Sequence, residues 1–194
     1  FVEFPCPPDL VGLNYYVTSE RFLDSRVELY PPAMVGGNGR HAYADVEAVR
    51  VCADGLVGPT CFLVDAYERY DKPVAITEAH LGCSPEQQIR WLAYVWNSAQ
   101  TAHALGVDVR AVTAWALFGA YGWDRLVTEG PGRYEPGVFD VSPGFPIETP
   151  LSDFVRALAS GEFSPLAPGW WEVEARLLYE PHVAPKPERK SRAA

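Results

Sequence analysis

Side chains of the kinds that do chemistry stand at the ends of three predicted strands. Glu78 lies at the tip of a β-branched run, and Asn14 and Tyr16 close an earlier apolar run. Trp115 lies near the end of the third run, and Trp123 follows it. A carboxylate at the tip of a buried strand is costly unless it is used, because burial disfavours its charged form. Glu78 is therefore the main candidate for a chemical role.

The elements that position these residues alternate along the chain. Strands are predicted over 10–15, 73–78 and 107–118, a short strand over 137–141, and helices over 59–72, 85–105 and 150–159. The helix from Pro85 has the clearest pattern, with Ser84 and Gln87 as a capping box and Gly106 at its end. Residues 19–55 mix prolines, glycines and charges, which predicts a long excursion with little regular structure.

This alternation predicts an α/β fold with parallel strands joined by right-handed crossovers. In such folds the active groups gather at the carboxyl ends of the strands. The candidate residues named above stand at those ends, and this coincidence is the main argument for a single site.

Composition and charge exclude several classes of partner. The net charge of -9 argues against binding to nucleic acid or to an anionic membrane. No apolar stretch approaches the ~18–20 residues that a membrane span requires. The first residues lack the basic and then apolar pattern of a secretory signal, so we expect a cytoplasmic protein. An aromatic content of 13% is ordinary in a core and also suits a cleft that stacks on sugar rings.

The cysteine and histidine patterns predict neither a metal site nor a cofactor. The four cysteines form no Cys-x-x-Cys pair, and the four histidines form no His-Glu-x-x-His motif. Cys83 near His80 could suggest a nucleophilic pair, yet no orienting third group is evident. His80 reads most simply as a solvated loop residue, and we keep it as a candidate substrate-binding residue.

Four segments occur in an order that is typical of one enzyme family. They read GLNYYVT, VAITEAH, WALFGAYGW and GRYEPGVFDV. Together they resemble Gly-Ile/Leu-Asn-Tyr-Tyr, Ile-Thr-Glu-Asn-Gly, Trp-Ser-Leu-Leu-Asp-Asn-Phe-Glu-Trp and Arg-Phe-Gly-Leu-x-x-Val-Asp of the family 1 glycoside hydrolases. The resemblance covers residues 10–160 and implies the C-terminal part, about strands 6–8, of a (β/α)8 TIM barrel. We expect a partial glycosidase-like domain over 1–165 and an extension or linker with a flexible tail over 166–194.

The resemblance implies a retaining β-glycosidase without a cofactor, and a role for each candidate. Glu78 would be the nucleophile, and Tyr16 would donate a hydrogen bond that keeps its carboxylate ionised and oriented. Asn14 would reach the sugar hydroxyl next to the reacting carbon. Trp115 would form the floor of the sugar pocket and Trp123 a wall.

The chain departs from the family pattern in three places. Ala79 and His80 stand where the family has Asn-Gly, and Gly122 stands where it has a sugar-binding Glu. The Asn-Glu-Pro motif that supplies the general acid does not occur in this chain. Glu20 and Asp24 are the nearest carboxylates that could substitute, although surface positions are the simpler expectation for both.

These departures leave two functions open. The first is a retaining β-glycosidase-like hydrolase acting on a carbohydrate, completed by an N-terminal half of the barrel or by another subunit or domain. Without that acid the isolated chain would be inactive. The second is a non-catalytic barrel segment that binds carbohydrate or docks a partner. Residues 159–181 are similar to the linker of bacterial proteins in which a barrel-like region precedes a dTDP-4-dehydrorhamnose reductase domain, a sugar-nucleotide enzyme.

Overall fold

The computed structural model describes residues 3–52, 54–123, 132–162, 164 and 166–172. The strands are β1 Val11–Tyr16, β2 Arg21–Asp24, β3 Val35–Gly37, β4 Ala42–Glu47, β5 Val74–His80, β6 Val109–Ala114, β7 Ala120–Tyr121, β8 Tyr134–Glu135, β9 Phe139–Asp140 and β10 Ile147–Glu148. The α-helices are α1 Ala48–Val51, α2 Pro59–Tyr70, α3 Pro85–Ala104 and α4 Pro150–Ser160. Short 3-10 turns cover Val27–Leu29, Pro32–Met34 and Trp170–Glu172.

The central feature is a parallel sheet of three strands in the order β1-β5-β6. Val74 is the register partner of Val11 on one side and of Val109 on the other. The predicted α/β fold with parallel strands is therefore confirmed. Within the described residues the sheet stays open, so β1 and β6 are edge strands and no barrel is closed.

One hydrophobic core lies between this sheet and the helices α2 and α3. Leu63, Ile76 and Trp91 are fully buried there. The Trp91 ring stacks on Tyr15 with centroids 5.5 Å apart, and Trp171 meets Trp91 edge-on at 5.0 Å. Burial of such large rings is the main source of stability in this layer, and it fixes β1 and β5 against the helices.

The predicted start of α3 is correct, but the predicted capping box is wrong. The Ser84 side chain makes no capping hydrogen bond, and the Oε1 atom of Gln87 is buried without a partner among the described residues. The Pro85 ring fixes the first helical φ and Glu86 places a negative charge in the first turn, so the helix begins without the box. At the other end Gly106 adopts a φ of 94° directly after the C-cap residue.

The segment 19–55 is more ordered than predicted. It contains an antiparallel sheet in the order β2-β4-β3, with a small cluster of Tyr30, Ala44 and Val46 beneath it. The alternation of buried and exposed residues in β4 is a period-two signal that was overlooked among the surrounding glycines and prolines. Asp24 is buried here and accepts hydrogen bonds from Arg26 and Tyr30.

After β6 the chain forms two small antiparallel ribbons before α4. β7 pairs with β8, and β9, which confirms the short predicted strand, pairs with β10. Gly137 passes so close to the end of β6 that a Cβ atom there would lie 1.8 Å from the Ala116 carbonyl oxygen. The Val138 and Phe139 amides donate to the Ala116 and Leu117 carbonyls, and these bonds hold the segment against the carboxyl end of the parallel sheet.

Two further predictions, the C-terminal extension and the cytoplasmic location, are not tested by the structure. Residues 173–194, which include most of the predicted extension and its tail, lie outside the described residues. Among the described helices, none has the length and apolar character needed to cross a bilayer. The cytoplasmic location stays a prediction.

Candidate functional site

Tyr16 and Glu78 meet at the carboxyl ends of β1 and β5. The Tyr16 hydroxyl donates a hydrogen bond to the Glu78 carboxylate, and both side chains are half-buried. The strand register is irregular here, between Leu13 and Asn14 and again between Ile76 and Ala79. Irregular register next to a site re-aims side chains, which is how a residue near the end of a buried strand comes to face the open end of the sheet.

Burial raises the pKa of Tyr16 far above its ordinary value, and the hydrogen bond to Glu78 and the negative charge of that carboxylate raise it further. The phenol therefore keeps its proton at physiological pH and acts as a donor to Glu78. The sequence resemblance implied this contact. Its part in catalysis stays a prediction.

Asn14 lies beside this pair as the register partner of Glu78. Its side chain is exposed, and its Oδ1 atom accepts a hydrogen bond of 2.7 Å from the Thr77 hydroxyl. That bond occupies the side-chain oxygen of Asn14, so the side-chain nitrogen remains able to donate a hydrogen bond. The structure thus brings Asn14 to the sheet end that holds Glu78, and its predicted contact with a sugar hydroxyl stays a prediction.

Trp115 and Trp123 form an aromatic cluster that reaches the Tyr16–Glu78 pair. The Trp123 ring centroid lies 6.1 Å from that of Trp115 and 6.2 Å from that of Tyr16. Trp123 is 37% exposed, so part of this side chain is accessible to solvent. The peptide bond from Trp115 to Ala116 is cis. The residues predicted as floor and wall therefore lie together at the carboxyl end of the sheet, and their contact with a sugar stays a prediction.

His80 is not a solvated loop residue, and the simpler interpretation of the sequence is wrong. It is the last residue of β5, it is buried, and its Nε2 atom lies 2.9 Å from the Oε2 atom of Glu135. Burial follows from the β7-β8 ribbon, which folds over the end of β5 and brings Glu135 to the imidazole. The pair lies beside the two tryptophans in a small pocket, whose lining is His80, Trp115, Ala116, Gly119, Ala120, Trp123, Glu135 and Pro136.

Glu135 is the residue of this region that sequence reasoning missed. Its strand has two residues, too few for any periodic pattern, and its partner is 55 positions away in sequence. The one available signal was the occurrence of a glutamate inside the segment GRYEPGVFDV, at the position where the resembling motif has glycine.

Glu20 and Asp24 are not surface residues, contrary to expectation. Glu20 is 7% exposed and its carboxylate accepts hydrogen bonds from the Tyr15 hydroxyl and from the backbone amides of Val57 and Gly58. Arg26 holds the pKa of the Asp24 carboxyl far below its usual range. Both carboxylates are committed to hydrogen bonds within the fold, which disfavours either as a replacement acid.

The described residues contain no group of three or more His, Cys, Asp or Glu side chains arranged to hold a metal ion. Cys83 is a free, exposed thiol.

Comparison with solved structures identifies the architecture. Fpglu1 from Fervidobacterium pennivoraus matches with a TM-score of 0.54 and 18% identity, over 79% of this chain and 35% of that one. The β-glycosidase from the hyperthermophile Thermosphaera aggregans matches with a TM-score of 0.53 and 19% identity, over 81% and 33%. The family 1 β-glucosidase from Thermotoga maritima matches with a TM-score of 0.51 and 19% identity, over 82% and 36%.

These matches show the fold: the chain has the architecture of part of a TIM barrel, as those proteins do. The chain spans about one third of the length of those structures. No family model and no curated protein sequence matches the chain.

Proposed function

We propose that this chain is the nucleophile-bearing part of a retaining β-glycosidase, with Glu78 as the nucleophile. The observation that carries the proposal is the hydrogen bond from Tyr16 to a half-buried Glu78 at the carboxyl end of a parallel strand. The adjacent tryptophan cluster supports it, because sugar rings stack on aromatic faces.

In this mechanism the Glu78 carboxylate attacks the anomeric carbon as the bond to the leaving oxygen breaks, and a glycosyl ester of Glu78 forms. Water then cleaves the ester. The Tyr16 hydrogen bond holds the carboxylate in line for attack, and Asn14 binds the neighbouring hydroxyl. Retaining enzymes place a second carboxyl group about 5 Å from the nucleophile to protonate the leaving oxygen.

We propose that this second carboxyl group comes from the rest of the barrel, on an N-terminal segment or on another subunit or domain. The open edges of β1 and β6 support this arrangement, because parallel strands are rarely left unpaired at a sheet edge. By the same reasoning the chain alone would hydrolyse ordinary glycosides poorly, since no proton donor would assist the leaving group.

The second candidate function is a non-catalytic barrel segment that binds carbohydrate or docks a sugar-nucleotide enzyme. The observation that favours it is Gly122, which places no carboxylate where the resembling motif has its sugar-binding glutamate. Under this alternative the aromatic pocket remains and Glu78 is a remnant.

The test is the intact mass of the protein after incubation with a panel of 2-deoxy-2-fluoro-β-glycosyl fluorides. Fluoride leaves without a proton donor, so labelling requires the nucleophile and not the absent acid. We expect the wild type to gain one fluoroglycosyl group, located on Glu78 by peptide mapping, and the Glu78→Gln variant to gain none.

Glu68→Gln is the matched control, because Glu68 is an exposed carboxylate on α2 and its removal should leave labelling unchanged. Labelling that persists in Glu78→Gln would show that another residue is the nucleophile. Absence of labelling with every sugar would favour the non-catalytic alternative.

A further inference from the structure

Strand β5 carries one residue more than its neighbours between Ile76 and Ala79. On β1 the single residue Asn14 spans the interval that Thr77 and Glu78 span on β5, and on β6 a single residue does the same. An extra residue in one strand bends it locally and changes the direction of the side chains there.

This extra residue leaves two successive side chains of β5 unburied. Successive side chains of a regular strand point to opposite faces, so one of the two would be expected in the core. In β5, however, Thr77 is exposed and Glu78 is half-buried, while the other residues of the strand are buried. The carboxyl end of the sheet therefore presents a hydroxyl group next to the proposed nucleophile.

Gly12 leaves the space that the Thr77 side chain occupies. A Cβ atom on Gly12 would lie 2.7 Å from the Cγ2 atom of Thr77, which is too close for two carbon atoms. Threonine is branched at Cβ, so its side chain has few rotamers. The hydroxyl is thus restricted to few positions, and it lies 2.7 Å from the Oδ1 atom of Asn14.

The Thr77 hydroxyl acts on the orientation of the Asn14 amide. It donates to the amide oxygen, and the Asn14 side chain has no other hydrogen-bond partner among the described residues. Without this bond the amide would rotate readily, because the last torsion of asparagine is broad. The negative charge of Glu78, the register partner of Asn14, also disfavours an amide oxygen beside it. Both effects leave the amide nitrogen available to donate.

We propose that Thr77 is a positioning residue, whose hydroxyl holds the Asn14 amide so that its Nδ2 atom donates to the sugar hydroxyl next to the reacting carbon. This inference rests on the proposed function, which assigns that hydroxyl to Asn14. It adds the residue that makes the site selective for sugars bearing a hydroxyl at that carbon. Hydrogen bonds to this hydroxyl strengthen in the transition state, so a misplaced amide should slow the reaction.

The experiment compares a panel of β-glycosyl fluorides with their 2-deoxy-2-fluoro analogues, which lack that hydroxyl. Both reagents form a glycosyl ester of Glu78 as fluoride leaves, so fluoride release in a single turnover measures the same step for each. In Thr77→Val, the rate with the hydroxyl-bearing reagent should fall about three- to tenfold, the usual worth of one hydrogen bond. The fall should be much smaller with the 2-fluoro analogue, because it offers no hydroxyl to Asn14.

Three further variants sharpen the comparison. Thr77→Ser keeps the hydroxyl and should restore most of the rate. Thr101→Val is the matched control and should react as the wild type does, since Thr101 is exposed on α3 and its hydroxyl donates to the Asn97 carbonyl. Asn14→Ala removes the group on which Thr77 acts, so Thr77→Val should cause no further loss in that background.

A second measurement needs no sugar. The heteronuclear NOE of the Asn14 side-chain amide should report an ordered group in the wild type and in Thr77→Ser, and a mobile one in Thr77→Val. An amide that stays equally ordered in Thr77→Val would overturn the inference. Equal slowing with both reagents would also overturn it, because a role limited to stability or to Glu78 itself does not depend on the sugar hydroxyl.

Failure of the proposed function has a separate signature. A wild type that reacts with neither reagent would refute hydrolysis. The order of the Asn14 amide would then decide by itself whether Thr77 positions it.

Discussion

Two adjacent tyrosines on β1 each donate a hydrogen bond to a glutamate, but the two glutamates differ in how many other donors they bind. Tyr15 donates to Glu20 on the helix side of the strand, and Tyr16 donates to Glu78 at the open end of the sheet. Each pair joins a phenol to a carboxylate. The Glu20 carboxylate also receives two backbone amides, whereas Glu78 receives no second hydrogen bond from the described residues.

Under the proposed function, unused hydrogen-bonding capacity distinguishes the reactive carboxylate of Glu78 from the structural carboxylate of Glu20. The Tyr15–Glu20 pair lies among buried rings and ties the loop before α2 to the strand. The Tyr16–Glu78 pair is only half-buried, so both side chains keep some contact with solvent. A saturated carboxylate stabilises the fold, while an unsaturated one can attack a substrate.

The strongest test of this comparison removes each carboxylate. Glu20→Ala leaves the Val57 and Gly58 amides without their acceptor and removes the carboxylate partner of the Tyr15 hydroxyl, and a buried group that loses its partner costs about 1–3 kcal/mol. We therefore expect a loss of roughly 3 kcal/mol or more in the free energy of unfolding, measured by urea denaturation. Glu78→Ala should lose less than about 1 kcal/mol, because its site is partly solvated. Equal losses of unfolding free energy in the two variants would contradict this distinction between Glu20 and Glu78.

Removing the hydroxyl of one tyrosine at a time should have smaller effects than removing a carboxylate. The two variants should affect different properties, the labelling rate in one and the stability in the other. Tyr16→Phe should slow labelling by a fluoroglycosyl fluoride about tenfold, since the nucleophile loses the hydrogen bond that orients it. Tyr15→Phe should leave the labelling rate unchanged and lower the free energy of unfolding by about 1 kcal/mol. The two variants should be compared in parallel by mass spectrometry and by denaturation. A slower rate in Tyr15→Phe would show that the two pairs are coupled.

The smallest expected effect is on the alkaline titration of the two tyrosines, compared between the folded and the urea-unfolded chain. Burial raises the pKa of both tyrosines well above about 10, the ordinary value of the phenol, and the neighbouring glutamates raise it further. Because the folded state holds these protons more tightly, the resulting stability is fully present below pH ~10 and is lost as the pH rises further. Phenolate absorbance should show fewer tyrosines titrating near pH ~10 than in the urea-unfolded chain, with Tyr15 and Tyr16 among the late ones together with Tyr94 and Tyr134, whose pKa values are also raised by burial.

Each single variant provides the control for that titration. In Tyr15→Phe and in Tyr16→Phe one late-titrating phenol should disappear. A normal titration of Tyr16 would contradict its burial and its bond to Glu78.

The parts of the fold with regular patterns were predictable from the sequence. The alternation of strands and helices gave the parallel order, and the strand ends placed Glu78, Tyr16 and Trp115 at one edge. The bounds differ mainly in the third strand, which runs from Val109 to Ala114 and is shorter than predicted at both ends.

The contacts between distant short elements were not predictable. Glu135 lies in a strand of two residues, so no local pattern could join it to His80. The burial of Glu20 depends on two amides far along the chain, at Val57 and Gly58, which only the tertiary fold brings to it. The composition around each residue predicts neither contact, because both depend on segments that are distant in sequence and meet only in the tertiary fold.

The small antiparallel sheet within 19–55 has a consequence for the order in which the chain folds. β1 must pair with β5 across a connection that runs from Val17 to Pro73, and the entropy cost of closing a loop grows with its length. The β3–β4 hairpin is local and can form early. Once formed, it shortens the effective loop that remains to be closed. Substitutions in the cluster of Tyr30 and Val46 should therefore slow the assembly of a parallel sheet to which neither residue belongs.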